Sequence, residues 1–189
     1  MPDLPDVIHG PRLGLVLVSV EQVLSRAEGA TPIPLPFVDP YDVLHPAHSP
    51  VRYRIAQLRS DPTVNPWLIR VAVARSTNLI VGLANFHDAP DDRGMVEIGY
   101  RVNPDERGQR YATEMAHLMW DVAAAHPSVV TLRATVAPDN VASLKIIEGA
   151  GLVHIGEQDD PEDGLELIYE IGEDEYRARN SRVWQPKDL

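Results

Sequence analysis

From Glu97 to Glu114 the chain reads Glu-Ile-Gly-Tyr-Arg-Val-Asn-Pro-Asp-Glu-Arg-Gly-Gln-Arg-Tyr-Ala-Thr-Glu. Its first part is strand-like, Asn103-Pro104 closes the strand, and Gly108 marks a turn before helical spacing begins. The first turn of a helix carries N–H groups with no intrahelical acceptor and a partial positive charge, so it attracts anions. Gly108 lets the backbone bend around a phosphate, and Arg107 and Arg110 add positive charge. Phosphate binding is the chemistry this turn offers; an ordinary strand–turn–helix junction is the plainer reading of the same residues. A second segment places Asn140, Ser143 and Ile147 three and four residues apart, on one face of a short helix. His45 and His48 have H-x-x-H spacing, but they lie in a proline-rich stretch without an acidic ligand signature, and no metal is expected there.

The elements that must position these residues follow from hydrophobic periodicity. Residues 13–20 read as a strand, bounded by Pro11 and Glu21. Six prolines between Pro32 and Pro50 favour extended loop over 31–50. Residues 51–60 can form a helix with Val51, Ile55 and Leu58 on one face. Trp67–Ala74 and Leu79–Phe86 read as strands joined at Ser76-Thr77-Asn78, and Met95–Val102 as another. Residues 109–125 carry Tyr111, Met115, Leu118, Met119 and Val122 at helical spacing, which turns Tyr111 and Met115 to the core. Val129–Val136 alternates as a strand, and 140–149 is a helix capped by Asp139 or Asn140. Strands near 152–157 and 165–171 follow, and the polar tail 172–189, with Tyr176 and Trp184, is helical or loose. His117 falls inside the long helix, Glu114 in its first turn is a favourable dipole partner, and the acidic run Glu157–Asp163 is a solvated loop or the rim of an amine site. Antiparallel strands first, then strand–helix–strand–helix–strand–strand, predict a mixed α/β (α+β) sheet with helices packed on it.

Composition narrows the partners. With 189 residues, 44% of them apolar, the chain is globular and fits one domain, 1–189. The formal charge of −11, from 17 basic and 28 acidic residues, disfavours nucleic acid and suits a cationic acceptor such as an amine. No cysteine is present, which excludes disulfides and thiolate metal sites. Residues 1–12 do not read as a signal peptide, and the longest apolar run, Leu13–Val18, is too short to span a bilayer; the expected location is cytoplasmic, with no membrane partner.

Two motifs then carry a family resemblance. Arg107-Gly108-Gln109-Arg110-Tyr111-Ala112 resembles motif A of the GNAT superfamily, whose pattern Gln/Arg-x-x-Gly-x-Gly/Ala at a helix start binds the coenzyme A pyrophosphate through backbone amides. Thr113-Glu114 resembles the extended form of its ribosomal-protein (Rim-type) branch. Asn140 to Leu152 is similar to motif B, Asn-x-x-Ser/Ala-x-x-x-x-Glu-x-x-Gly-Phe. The resemblance covers about residues 67–171, leaving 1–66 as the acceptor region and 172–189 as a tail. It implies a GNAT-like fold with a mostly antiparallel central sheet of six to seven strands and helices on both faces. It implies transfer of an acetyl group from acetyl-CoA, without a metal, to a primary amine of a small molecule or a protein N-terminus by direct attack; a homodimer is left open. Tyr100, Arg101, Val102, Arg107, Gly108, Gln109, Arg110, Tyr111, Ala112, Thr113, Asn140 and Ser143 are the expected cofactor contacts.

The reaction needs a base for the amine, a donor for the tetrahedral oxyanion and a proton for the thiolate. The resemblance assigns Glu97 as the base, acting through a water, and the backbone N–H groups near Tyr100–Val102 as oxyanion donors. Ser143 is the acid candidate or a contact to pantetheine. Two residues depart from the family pattern. Arg110 stands where motif A has glycine and either pairs with phosphate or crowds it, and Ile147 stands where many members carry a tyrosine acid. Both departures suit a second reading, an acyl-CoA-binding sensor without turnover. A nucleotide binder would require a Gly-x-x-x-x-Gly-Lys-Ser/Thr loop, which the sequence lacks.

Overall fold

The computed structural model describes residues 4–27, 30–161 and 164–180. The chain enters through β1 (Val7–His9) and β2 (Leu13–Leu17), antiparallel across a tight turn at Gly10–Arg12. The three-residue β1 is too short for alternation to reveal it. The strand expected over 13–20 stops at Leu17 because Ser19 caps a helix instead. Its hydroxyl accepts from the Gln22 N–H at 3.2 Å and the Gln22 side chain accepts from the Ser19 N–H at 3.0 Å, starting α1 (Val20–Leu24). The proline-rich stretch holds no helix and delivers the chain to α2 (Val51–Ser60), which buries Val51, Ile55 and Leu58 as expected. Pro62–Trp67 form a 3-10 turn capped by Asp61, so the strand expected from Trp67 begins at β3 (Arg70–Ala74).

β4 (Leu79–Phe86) and β5 (Met95–Val102) complete the antiparallel half. Then come α3 (Tyr111–Ala124), β6 (Thr131–Val136), α4 (Val141–Gly149), β7 (Val153–Asp160) and β8 (Gly164–Gly172). The tail forms α5 (Glu173–Asn180); Trp184 lies outside the described residues. The sheet order is β1-β2-β3-β4-β5-β6-β8-β7, with only β5 and β6 parallel among these neighbours. The described sheet thus has eight strands rather than six or seven, β1 making the difference.

Alternation along the strands feeds two cores. Val71 and Val73 of β3 join α1, α2 and the loop residues Val43 and Leu44. Ala72 and Ala74 join Met115, Met119 and Trp120 of α3, Ile147 of α4 and Tyr176 of α5. Helices therefore cover both faces.

One irregularity positions the site. β5 and β6 are paired only from Met95–Glu97 to Thr131–Arg133. Beyond that, β5 continues to Val102 against β4, while β6 continues to Val136 against β8. The two strands part, and a gap opens through the sheet.

Candidate active site

Strand pairing fixes what faces the gap. The Glu97 carbonyl accepts from the His87 N–H at 2.8 Å, and the Asn103 N–H donates to the Val81 carbonyl at 2.8 Å. Odd-numbered β5 residues therefore aim their backbone groups at β4, and by antiparallel alternation Tyr100 and Val102 aim theirs into the gap. Gly82 makes this approach close, because a Cβ there would lie 2.1 Å from the Arg101 carbonyl oxygen. Side chains alternate the other way. Ile98, Tyr100 and Val102 pack with the core beneath α3 and α4. Glu97, Gly99 and Arg101 take the opposite face, with Thr135 of β6.

A cleft of about 900 Å³ follows the gap from one face to the other. On the α2 side its walls include Tyr53, Arg54, Asn85 and His87; on the α4 side, Asn140, Ser143 and Ile147; on the β7–β8 ribbon, Gln158, Asp160 and Glu166. Glu97 also lines it. The Thr135 hydroxyl donates to Glu97 Oε1 at 2.6 Å, and His87 Nδ1 stands 3.3 Å from the same oxygen. Loss of water against the cleft walls lowers the His87 pKa below its usual 6.5, with the Glu97 carboxylate opposing that shift and Arg54 adding to it. Arg54 Nη1 donates to the His87 carbonyl at 2.6 Å and to Gln57 Oε1 at 2.7 Å, bracing the end of β4 against α2.

On the opposite face the Tyr100 hydroxyl is fully buried, beside Ser143 but at a geometry short of a formed hydrogen bond. Burial raises its pKa, and the Ser143 neighbour partly offsets the rise. Asn140 caps α4, its side chain accepting from the Ser143 N–H at 3.1 Å, so its carbonyl has a structural task.

The turn before α3 has the form of an anion cradle. Gly108 holds φ 77 and Arg110 holds φ 60, both left-handed, and a Cβ on Gly108 would meet nothing within 4 Å. The first intrahelical bond runs from the Glu114 N–H to the Arg110 carbonyl, so the amides of Tyr111, Ala112 and Thr113 precede the helical ladder. Nearby Arg107 depresses the pKa of Arg101, after the larger effect of burial. The Arg107 guanidinium, whose Nε donates to the Val102 carbonyl at 3.4 Å, stands in the turn before a helix start and suits a bound polyphosphate.

The cleft thus gathers Glu97, Tyr100, Arg101, Asn140 and Ser143. Val102 and the turn residues Arg107, Gly108, Gln109, Arg110, Tyr111, Ala112 and Thr113 lie outside its lining; Gln109 is held by Glu106, and Tyr111 packs under Arg12 at 4.8 Å. His87, Thr135 and Arg54 carry no motif spacing; pairing across β4, β5 and β6 brings His87 and Thr135 to Glu97, and α2 brings Arg54 to the His87 carbonyl. Glu114 does more than favour the helix dipole. It is 1% exposed, accepts from the Arg12 and Leu13 N–H groups at 2.8 and 2.9 Å, and pairs with the Arg12 guanidinium at 3.0 Å. His117 is half-buried and meets the Tyr176 hydroxyl at 3.2 Å. Among the described residues no cluster fit to hold a metal is found, and no helix is long and apolar enough to cross a membrane.

Residues 38–153 match the acetyltransferase (GNAT) domain family. The chain belongs to that family. GNAT proteins use acetyl-CoA as co-substrate, and the left-handed turn at Gly108 with the amides of Tyr111, Ala112 and Thr113 and with Arg107 offers donors that fit its phosphates. The chain is 32% identical over 87 residues to the uncharacterized N-acetyltransferase YjdG of Bacillus subtilis (strain 168), covering 46% of this chain and half the length of that relative. The fold is similar to that of a GNAT acetyltransferase from Bacillus anthracis, at TM-score 0.60 and 18% identity over 89% of this chain and 99% of that one. A Vibrio cholerae protein assigned as a ribosomal-protein-serine acetyltransferase matches at TM-score 0.60 and 13% identity over 90% and 99% of the two chains. The spermidine/spermine N-acetyltransferase SpeG from Vibrio cholerae matches at 0.56 and 16% over 70% and 79%.

Proposed function

We propose that this GNAT protein transfers the acetyl group of acetyl-CoA directly to a primary amine. The observation that carries the reading is the gap between β5 and β6. β5 runs on from it into the turn that forms the anion cradle, and its α2 face holds a carboxylate and an imidazole suited to receiving a proton. Coenzyme A approaches from the α3 and α4 face, with its pyrophosphate on the amides after Gly108 and on Arg107. The thioester carbonyl enters the gap, where the Tyr100 or Val102 N–H stabilises the oxyanion. The amine arrives from the α2 face beside Glu97 and attacks the carbonyl carbon. The thiolate leaves toward Ser143, which lines the cleft together with Ile147, the position where the family's tyrosine is missing. Similar folds carry names recording a polyamine and a ribosomal protein as acceptors, and an acidic chain with Asp160 and Glu166 on the acceptor wall suits a cationic partner.

The test is thiol release from acetyl-CoA with spermidine and with a peptide bearing a free N-terminus, alongside calorimetric CoA binding. Amine-dependent thiol release is expected. CoA binding without thiol release for either amine would instead identify an acyl-CoA sensor. Gly108→Val, which forces a branched residue into the left-handed region, should weaken CoA binding while the far-UV spectrum is kept; unchanged affinity would move the pyrophosphate elsewhere.

A further inference from the structure

We propose that His87 is the catalytic base, receiving the amine proton on Nε2, and that Glu97 and Thr135 position its ring. This rests on the acetyl-transfer reading and changes the part Glu97 plays in it. Three observations support it.

The first is access. Glu97 keeps 13% of its side chain exposed, whereas His87 keeps 48%, so the imidazole stands between the carboxylate and the acceptor side of the cleft. The second is the direction of the two ring nitrogens. Nδ1 faces Glu97 Oε1, and Nε2 lies over Gly99, where even a Cβ would come within 3.1 Å of it. Gly99 precedes Tyr100, whose N–H enters the gap, so Nε2 sits beside the place where the tetrahedral centre forms. The bare Cα of Gly99 makes room for the ring. The third is the state of the carboxylate. Glu97 Oε1 already accepts from Thr135, which fixes it as the group that orients an Nδ1–H and leaves Nε2 unprotonated.

The charged groups around the ring agree with this assignment. Arg54 of α2 favours the neutral imidazole, as does loss of water. Glu97 of β5, Glu166 of β8 and Asp160 of β7 favour the protonated one. The balance leaves the ring neutral at pH 7 and surrounds it with carboxylates once it accepts a proton. The protons balance as follows. The ammonium gives one proton to His87 Nε2. The amine nitrogen bonds to the carbonyl carbon, and the C–S bond then breaks with its electron pair on sulfur. The second nitrogen proton reaches the thiolate, giving free coenzyme A, and His87 returns the first to solvent.

The test combines spectroscopy with kinetics. In the ¹⁵N-labelled protein the His87 imidazole signals, identified by their loss in His87→Gln, should show the neutral Nδ1-protonated tautomer at pH 7. An Nε2-protonated tautomer or an imidazolium at that pH overturns the assignment without reference to any acceptor. With whichever of spermidine or the free-N-terminus peptide releases thiol, His87→Gln should lower kcat about 100-fold or more and leave the CoA Kd within about two-fold. It should also abolish the rise in rate through the acid limb below pH 6.5. Thr135→Val should lower kcat less and shift the midpoint of that limb, with KM nearly unchanged. Full kcat and an unaltered limb in His87→Gln overturn the role of His87 alone. Wild-type protein that binds CoA but releases no thiol with either amine overturns acetyl transfer itself, and the base assignment with it.

Discussion

Arg110 holds φ 60 and ψ 19 at the residue before α3, where the motif-A pattern places glycine. A residue with a Cβ costs roughly 1–2 kcal/mol in that region, so the family's glycine serves the backbone there as well as the room beside the phosphate. Arg110→Gly should relieve that cost, offset in part by the greater freedom of glycine in the unfolded chain, for a net gain of about 0.5–1 kcal/mol in urea denaturation. Arg110→Ala keeps the left-handed Cβ and should show no such gain. If the guanidinium pairs with coenzyme A, both variants lose about ten-fold or more in affinity, most clearly at low salt; unchanged Kd in both removes the phosphate role. From sequence the question at Arg110 was one of side-chain crowding, because φ is not written in residue types. His87 was hidden for a similar reason. A lone histidine after a strand has no spacing signature, and its partner is ten residues away across a turn and a strand pair.

At the scale of elements, α3 is fastened at both ends by groups its own periodicity does not disclose. Helical spacing in the sequence shows its core face through Met115 and Met119, both of which are buried. The attachment of Glu114 to Arg12 and Leu13 spans about a hundred residues and leaves no local pattern. Glu114→Gln removes the charge from a buried, multiply bonded carboxylate and should cost about 2–3 kcal/mol, lowering Tm by roughly 4–12 °C. A change in Tm under 1 °C would show that the turn holds without the ion pair. The other fastening is Tyr176 of α5, whose hydroxyl donates to Asp121 Oδ1 at 2.9 Å and meets His117 Nδ1. The described part of the tail read as helical or loose, Glu173–Asn180, is a helix docked by this tyrosine, which is 1% exposed. By contrast, the strand–turn–helix of the anion cradle was legible, since Pro104, Gly108 and the onset of helical spacing are all local signals.

For the whole molecule, protons and topology both matter. His87 and His117 have pKa values depressed chiefly by burial. The unfolded chain therefore takes up protons near pH 6.5 before the folded one does, so these two groups subtract stability as pH falls below 6.5 toward their folded values. Asp121, raised by burial, acts in the opposite sense between its folded pKa and the ordinary 3.8. The urea midpoint should drop less between pH 7.5 and 5.5 in His87→Gln/His117→Gln than in the wild type, a comparison in which the net charge of the rest of the chain largely cancels; equal drops would assign the acid sensitivity elsewhere. The parting of β5 from β6 has a different kind of consequence: it gives the protein a front and a back. If the two substrates reach one carbonyl carbon from opposite sides, neither blocks the other's doorway, and either can arrive first. A preassembled conjugate of amine and coenzyme A has no such freedom. Its ends belong on opposite sides of a sheet, so it must seat astride the gap as one piece, entering edgewise where the two strands have parted.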